Sequence, residues 1–240
     1  YVMHRAAVRL IEPIKAQLEK HRHHALHDPA TGLPNRAPFD DRVAQAVGGA
    51  SRTKGCVGVV MVDLNRFKET NDVIGSQAGD RVLRVVAERM VKRLRKTDTV
   101  ARLGGDDFGI VLSEVDNADS AVRLVHDMQR ILSAPIIIEG VPVVVEATAG
   151  IALTGEMAFP AATYVQRAER AHRRAKGEPD KCAVHDPALD DEVRDQLALI
   201  NELRAGIARG ELRLYYQPKP RVSSGQVRRV EALVRWEHPT

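Results

Sequence analysis

Two adjacent carboxylates beside a glycine pair are the residues of this 240-residue chain that most directly suggest chemistry. The segment Arg102-Leu103-Gly104-Gly105-Asp106-Asp107-Phe108 lies between two apolar, β-branched runs, 99–103 and 108–112, which predict strands joined by a tight turn. Glycines supply the positive φ angles of a hairpin tip and let a bulky anion approach the backbone. Because a turn needs at most one Asp, the two acids indicate metal binding, and an ordinary Gly-Asp hairpin is the alternative.

A further carboxylate ends the most apolar stretch of the chain. Residues 56–64 form a continuous apolar run that reaches Asp63, a pattern typical of a buried central strand. A carboxylate that leaves the core there needs a partner or a cation, because a buried unpaired charge is costly. The polar stretch after it offers Lys68 for phosphate, and Asn71 and Asp80 for a base edge. The alternative is a plain loop in which Asp80 caps the next helix.

The elements that must position these residues follow from hydrophobic periodicity. Helices are predicted over 1–27, 37–47, 80–96, 118–133, 161–176 and 190–209, and strands over 56–64, 99–103, 108–112 and around 135–153 with a turn at 139–140. A polar stretch with Gly and Pro, 177–190, separates the last two helices. This mixture predicts an α/β (α+β) domain whose central, mostly antiparallel sheet is flanked by helices.

The composition excludes several classes of protein. A net charge of +4 with scattered basic residues and 4% aromatics does not favour a nucleic-acid surface, so no nucleic-acid partner is expected. Cys56 and Cys182 fit neither a metal spacing nor a disulfide framework, which suits a reducing cytoplasm. No apolar window is long enough to span a bilayer. Because the sequence begins at Tyr1 rather than Met, we expect a cytoplasmic fragment, with room for a membrane anchor or sensor upstream of residue 1.

Four segments in a fixed order resemble the GGDEF domain of bacterial diguanylate cyclases, which make cyclic di-GMP from GTP. They are Asp28-Pro29-Ala30-Thr31-Gly32-Leu33-Pro34-Asn35-Arg36, the ten residues Asp63–Asp72, Gly79-Asp80, and Gly104–Phe108. The resemblance covers roughly residues 26–185 and implies a nucleotide-cyclase-like elaboration of the ferredoxin-like fold. Two later segments, 214–219 and 230–236, resemble the opening of an EAL domain, the cyclic di-GMP phosphodiesterase family.

The resemblance implies a division of the chain. An N-terminal signalling or linker helix occupies 1–27, the GGDEF domain 28–185, a connector helix 186–210, and the start of a truncated EAL domain 211–240. In this family such an N-terminal helix joins an upstream sensor and pairs with its twin in a homodimer whose catalytic faces meet; the alternative is a helix docked on its own domain. Its four histidines, at 21, 23, 24 and 27, invite a metal interpretation, but their basic surroundings favour a solvated face.

The resemblance also implies roles for individual residues. Asp63, the backbone carbonyl of Leu64 and Asp106 would hold Mg²⁺ or Mn²⁺, and Asp106 with Asp107 would be the catalytic acids. GTP would contact seven positions, namely Phe67, Lys68, Asn71, Asp80, Gly104, Gly105 and Lys176. Arg95 and Asp98 match the site at which cyclic di-GMP inhibits its own synthesis, and a helix-end ion pair is the alternative. Glu231 would ligate metal in the EAL domain of the parent protein.

Departures from the family pattern keep three functions open. Asp107 stands where the family usually has Glu, and Ala171-His172-Arg173-Arg174-Ala175-Lys176 replaces Ala-Leu-Tyr-x-Ala-Lys. The basic residue that usually follows Lys176 is displaced, with Lys181 or Arg174 as stand-ins. The chain is then a dimeric cyclase restrained by its product, a GTP-binding module that tunes an attached EAL phosphodiesterase, or a cyclic di-GMP receptor.

Overall fold

The apolar run before Asp63 forms the central strand of a five-stranded sheet. The computed structural model describes residues 25–53, 55–155, 159–220 and 227–237. It divides the chain into one unit that ends at His185 and another that begins at Asp186. The predicted helix over 1–27 falls outside the described residues except for its last three, as do His21, His23 and His24; His27 forms an isolated bridge with Pro34.

The first unit contains five helices and seven strands among its described residues. The helices are α1 Arg36–Thr53, α2 Phe67–Ile74, α3 Ser76–Arg93, α4 Ala118–Leu132 and α5 Ala161–Ala175. The strands are β1 Gly58–Asn65, β2 Thr99–Gly104, β3 Asp107–Leu112, β4 Ile136–Ile138, β5 Val141–Val143, β6 Glu146–Leu153 and β7 Cys182–Val184.

The central sheet has the strand order β2-β3-β1-β6-β7, and β4 pairs with β5 in a separate hairpin. Every neighbouring pair in the central sheet is antiparallel except β6 and β7, which run parallel. This confirms the predicted α/β class with a mostly antiparallel sheet. The predicted turn at Glu139-Gly140 is also confirmed, because these two residues join β4 to β5 with positive φ angles of 52° and 85°.

Alternate residues of β1 supply two separate cores. Val60, Val62 and Leu64 pack into a core that includes residues of α3 and α4, whereas Val59 and Met61 pack into a core with residues of α1 and α5. The period of two is that of a strand buried on both faces. Asp63 has the parity of the second set, so its side chain lies on the face of the sheet that α1 and α5 cover.

Two segments differ from the sequence prediction. The polar stretch after Asp63, for which a plain loop was the alternative, contains the short helix α2. Helix α3 begins at Ser76 rather than at Asp80, so Asp80 lies inside it and does not cap it. Gly75 separates the two helices with a φ of 83°, which a glycine adopts without strain. Strand β7 lies within the stretch predicted as polar and irregular, because its three residues pair with β6 where periodicity is too short to be visible.

The second unit contains α6 Pro187–Ala208 and an antiparallel hairpin of β8 Leu212–Pro220 and β9 Val227–Trp236. Asp186 caps α6, because its carboxylate accepts the amide of Ala188 at 3.0 Å. None of the helices in the described ranges is both long and apolar enough to cross a lipid bilayer.

Both cysteines are free thiols shielded by the fold. Cys56 lies just before β1, and its Sγ donates to the carbonyl of Thr154 at 3.2 Å. Cys182 is buried in β7, and burial raises the pKa of its thiol to about 11. Burial likewise raises the pKa of Cys56. Both residues therefore act as packing groups rather than as nucleophiles.

Candidate functional site

The glycine pair forms the tip that joins β2 to β3. Gly104 and Gly105 have φ angles of 140° and 54°, which explains why glycine is needed at both positions. The backbone carbonyl of Asp106 accepts a hydrogen bond from the amide of Leu64 at 3.3 Å, so the tip is attached to the end of β1. The two stretches of chain that the sequence singled out therefore meet.

Asp63 and Asp107 are direct partners across the antiparallel β1–β3 ladder. Such partners project from the same face of a sheet, so the two carboxylates are neighbours. Desolvation at the end of the sheet and the charges of Asp63 and Asp106 raise the pKa of Asp107, although Lys176 and Arg36 oppose the shift. Three carboxylates are thus close enough to repel one another.

Helix α5 faces these acids with two basic side chains. Lys176, which follows its last residue, places Nζ 2.7 Å from Asp63 Oδ2, and His172, one turn earlier, places Nε2 3.7 Å from the same oxygen. The hydrogen bond from Lys176 to Asp63 raises the pKa of that ammonium. Burial, with the nearby charge of Lys176, lowers the pKa of His172, which favours the neutral imidazole. A histidine four residues before Lys176 is a signal that the sequence already contained.

An open cleft of about 820 Å³ lies over this group. It brings together three of the predicted site residues, Asp63, Asp106 and Lys176. Sequence reasoning missed most of the other lining residues, which are Asn65, Arg66, Glu69, Thr70, Val144, Glu146, Thr148 and Lys181. They come from the end of β1, from α2 and the residue before it, from β6 and the loop before it, and from the residue before β7, and no spacing pattern connects these segments. Lys181 was one of two proposed stand-ins for a basic residue, and it does line the cleft.

The acids of this cleft fit a divalent cation. Carboxylate oxygens are the donors that Mg²⁺ and Mn²⁺ prefer, and the repulsion that raises the pKa of Asp107 would be relieved by a positive ion. The ammonium of Lys176 already lies beside Asp63 as a cation. Within the described ranges no three His, Cys, Asp or Glu side chains are already grouped in a way that could hold a metal. A bound ion would therefore share Asp63 with Lys176, whose Nζ holds only Oδ2, and draw the acids together.

Arg102 holds the hairpin tip through the carbonyl of Gly105, a role that the sequence did not reveal. Its Nε and Nη2 donate to the carbonyl of Gly105 at 2.9 and 2.7 Å, and its Nη1 donates to both oxygens of Asp28 at 2.9 and 3.0 Å. Both side chains are largely buried, at 12% and 16% exposure. Asp28 also accepts the amide and hydroxyl of Thr31. The backbone before Asp106 is thereby attached to the start of the domain.

The residues predicted to contact nucleotide occupy α2 and α3. Lys68 and Asp80 are exposed on these helices. Asn71 packs directly on Gly79, where any Cβ would collide with its Oδ1, and that oxygen is buried without a hydrogen-bond partner among the described residues. The side chain of Phe67 is 4% exposed and packs in the core, and its contact with a nucleotide stays a prediction. None of these four lines the cleft over Asp63.

Arg95 and Asp98 lie in the turn between α3 and β2. They line a second groove of about 310 Å³ together with two more arginines, Arg93 and Arg123. The carboxylate of Asp98 accepts hydrogen bonds from the backbone amides of Arg95 at 3.0 Å and Ser113 at 3.1 Å, and so closes the turn. Among the described residues it forms no ion pair with the Arg95 side chain. Arg93 is bound to Asp127 at 2.7 Å. The groove therefore offers Arg95 and Arg123 to an anion.

Glu231 lies in the second unit, on β9. Its Oε2 is 2.8 Å from Nζ of Lys219, and both side chains are about half exposed. The two strands place this pair on the hairpin formed by β8 and β9.

Comparison with known proteins agrees with this geometry. The profile of the family described as "Diguanylate cyclase, GGDEF domain" matches residues 25–182. The chain is 37% identical over 217 residues to the bifunctional diguanylate cyclase/cyclic di-GMP phosphodiesterase MucR of Pseudomonas aeruginosa, which covers 90% of this chain and 31% of MucR. It is 37% identical over 178 residues to the diguanylate cyclase TpbB of the same species, covering 72% of this chain and 41% of TpbB.

A solved structure supports the fold. The isolated GGDEF domain of TpbB superposes with a TM-score of 0.66 at 34% sequence identity, over 70% of this chain and 99% of that domain. The chain spans less than half the length of MucR and TpbB. The profile match, together with this superposition, identifies the chain as a member of the GGDEF diguanylate cyclase family of cyclic di-GMP signalling.

Proposed function

We propose that this domain binds GTP with Mg²⁺ or Mn²⁺ and, as a homodimer, condenses two GTP molecules to cyclic di-GMP. One observation carries the proposal: Asp63 and Asp106, 43 residues apart in the sequence, line a single cleft with Lys176. Acids and a lysine arranged in this way suit a nucleoside triphosphate and its cation. The family to which the chain belongs supports the same substrate.

Different side chains of the cleft would bind the ion and the phosphates. Asp63 and Asp106, with the backbone carbonyl of Leu64, would hold the ion, and Lys176 would exchange Asp63 for a phosphate oxygen. A divalent ion in this position supplies charge neutralisation for the triphosphate. Lys68 would meet the phosphates from α2, and the tip at Gly104 and Gly105 would let them approach the backbone.

Guanine recognition falls to the two consecutive helices α2 and α3. Asn71 Oδ1 is a buried acceptor without a partner among the described residues, and the guanine edge carries N–H donors that would satisfy it. Asp80 is exposed one residue beyond Gly79, against which Asn71 packs. This arrangement supports a base-binding role for Asn71 and Asp80.

The reaction requires two domains. The 3′-oxygen of each bound GTP forms a bond with the α-phosphorus of the other, and the bond from that phosphorus to pyrophosphate breaks. Two phosphodiester bonds form, two pyrophosphates leave, and each hydroxyl gives up one proton, for which Asp106 and Asp107 are the acceptors we propose. Each domain offers one nucleotide cleft, which is why we propose a homodimer with facing clefts and paired N-terminal helices.

A second candidate is a GTP-binding module with weak or no synthesis. Asp107 favours it, because its side chain is one methylene shorter than the Glu that the family usually carries, and a displacement of about 1 Å at such a position costs roughly 100-fold in rate. In this case the domain would regulate an attached EAL phosphodiesterase. The hairpin β8–β9 would be the start of that domain, with Glu231 as one of its metal ligands.

Product regulation belongs to the same proposal. Arg95 and Arg123 offer guanidinium groups to the phosphates of cyclic di-GMP in the groove beside Asp98. If cyclic di-GMP binds there without any synthesis at the cleft, the domain would act as its receptor.

Product analysis tests the proposal. The purified protein is incubated with GTP and Mg²⁺, and the nucleotides are separated by anion-exchange chromatography. We expect one cyclic di-GMP for every two pyrophosphates, and no product from Asp63→Asn. GTP that is bound but recovered intact would favour the regulatory module, and failure to bind GTP would refute both candidates.

A further inference from the structure

His172 and Lys176 approach the same carboxylate oxygen from one face of the α5 segment. Lys176 Nζ is 2.7 Å from Asp63 Oδ2, within hydrogen-bond distance, whereas His172 Nε2 is 3.7 Å away and makes no hydrogen bond to it. Asp63 Oδ2 therefore accepts a hydrogen bond from Lys176 and none from His172.

The nitrogen of His172 has no alternative partner in the described part of the chain. Its Nε2 is buried and forms no hydrogen bond, although the side chain as a whole keeps 13% exposure. A buried polar nitrogen without a hydrogen-bond partner is unfavourable and calls for an explanation. Asp63 Oδ2, 3.7 Å away on the wall of the candidate GTP cleft, is an acceptor that this nitrogen faces.

The two basic side chains differ in freedom to move. The Lys176 side chain is 55% exposed, on a long flexible stem, and can turn towards a ligand. The backbone at His172 is fixed, because α5 lies so close to β6 that any Cβ at Gly150 would collide with the amide nitrogen of His172. A mobile cation and a fixed imidazole thus face one oxygen.

We propose that His172 is a positioning residue for Asp63: when Lys176 leaves Asp63 Oδ2 for the phosphates of a bound nucleotide, His172 Nε2–H donates to that oxygen and holds the carboxylate for the divalent ion. This inference rests on the proposed binding of GTP and its cation at this cleft. It assigns the proton to Nε2.

The chemistry of a neutral imidazole suits this role. A neutral donor orients the carboxylate without cancelling the charge that a cation needs, as outer-shell partners of metal ligands commonly do. In the family segment Ala-Leu-Tyr-x-Ala-Lys, which residues 171–176 resemble, the corresponding letter is leucine, which cannot donate a hydrogen bond.

Binding of Mn²⁺ provides a test that does not depend on turnover. Mn²⁺ affinity is measured by electron paramagnetic resonance, with and without the α,β-methylene analogue of GTP, for the wild type, His172→Leu and His172→Gln. With the analogue, His172→Leu should weaken Mn²⁺ binding roughly tenfold. His172→Gln, which keeps an N–H donor, should retain most of the affinity. Without the analogue, Lys176 remains on Asp63 and the three proteins should bind Mn²⁺ alike.

Each other outcome overturns the proposal. Equal Mn²⁺ affinity of His172→Leu and wild type in the presence of the analogue would show that the imidazole does not position Asp63. Equal losses in the Leu and Gln variants, or a loss that does not depend on the analogue, would show that shape alone matters. If the wild type fails to bind the analogue, the proposed function itself fails, and this inference with it. His172→Met replaces His172→Leu if the latter does not fold.

Discussion

Asp63 and Asp107 lie directly opposite each other at the end of the β1–β3 ladder, on the face that α5 covers. Like charges in this position destabilise a sheet, and Lys176, 2.7 Å from Asp63, offsets the repulsion in the absence of a ligand. The sheet end thus holds more negative charge than the protein alone neutralises, which is the electrostatic condition for binding a cation.

Removing one of these charges should stabilise the protein when no divalent ion is present. Because the pKa of Asp107 is raised in the folded state, folding stability falls as pH rises through the interval from the ordinary value to the raised one, and the loss persists above it. In EDTA at pH 7, Asp107→Asn should raise the thermal midpoint by about 1–3 °C. Scanning calorimetry measures this.

The pH dependence supplies the control for this prediction. Below the ordinary Asp pKa of 3.8, the wild-type carboxyl is protonated in both states, so the two proteins should melt together. At pH 7, saturating Mg²⁺ should also abolish the difference in thermal midpoint between Asp107→Asn and the wild type. A variant that is less stable than wild type at pH 7 in EDTA would contradict the expectation.

Lengthening the same side chain should act on catalysis. Asp107→Glu restores the reach of the family residue and should raise the rate of cyclic di-GMP formation on the order of tenfold, since a misplacement near 1 Å costs up to about 100-fold. Steady-state turnover measured by pyrophosphate release checks this. Asp119→Glu, the same change on exposed α4, should leave the rate unaltered. An unchanged rate in Asp107→Glu would show that the short acid is not limiting.

The link from Asp28 through Arg102 to Gly105 should govern both stability and the hairpin tip. Removing one partner of a largely buried ion pair leaves the other charge unpaired, so Arg102→Met should lower the free energy of unfolding by about 3 kcal/mol. Denaturant titration measures the loss. Arg84→Met, which removes an exposed arginine bonded to the carbonyl of Ala30, should cost much less. Equal losses would contradict the special role of Arg102.

Asp28 also carries a pH signature. Burial alone would raise the pKa of Asp28, but hydrogen bonds from Thr31 and Arg102 lower it overall. Its stabilisation is therefore complete above the ordinary value of 3.8 and is lost as pH falls through the lowered native value. In Asp28→Asn this part of the acid-denaturation curve should disappear, and a curve identical in shape to that of wild type would be the contrary result.

Variants of Lys181 and Arg174, the two proposed stand-ins for a displaced basic residue, should differ in their effects on GTP affinity and stability. Lys181 lines the cleft, whereas Arg174 Nη2 donates to the carbonyl of Val184 at 2.8 Å. Lys181→Met should weaken GTP binding on the order of tenfold, as expected for a charge-assisted phosphate contact. Arg174→Met should leave GTP affinity intact and cost about 1 kcal/mol of stability. Calorimetric titration with GTP measures both affinities. Weaker GTP binding by Arg174→Met than by Lys181→Met would show that Arg174, not Lys181, contacts the phosphates.

Arg95 should control inhibition by the product. Because its side chain lies in the groove with Arg123 while Asp98 serves the turn, Arg95→Ala should raise the inhibition constant of cyclic di-GMP roughly tenfold or more and leave uninhibited turnover unchanged. Its neighbour Lys96, which is exposed and does not line the groove, gives the matched control Lys96→Ala. Inhibition that survives Arg95→Ala would refute the assignment.

Sequence patterns predicted the elements that carry strong periodicity or turn chemistry. The buried strand before Asp63 and the hairpin around Gly104-Gly105 were predicted nearly to the residue, because an apolar run and a glycine pair are local signals. Helix α2 and strand β7 were missed because they are short, with eight and three residues, and because β7 is held by its pairing with β6, which no local pattern reveals.

The site was predicted unevenly for the same reason. That Asp63 and Asp106 meet in one cleft followed from the resemblance, but the roles of Arg102 and His172 depend on partners 74 and 109 residues away in the chain. Phe67, which the resemblance predicted to contact GTP, packs in the core, a burial that its place in a polar stretch did not reveal.

The shielding of the two native thiols has a practical consequence for spectroscopy. Because neither Cys56 nor Cys182 forms a thiolate readily at neutral pH, a maleimide spin label or fluorophore should react first with a cysteine introduced on an exposed helix, such as Asp119→Cys on α4. Distances between labelled copies can then be followed without first removing the natural cysteines from the core.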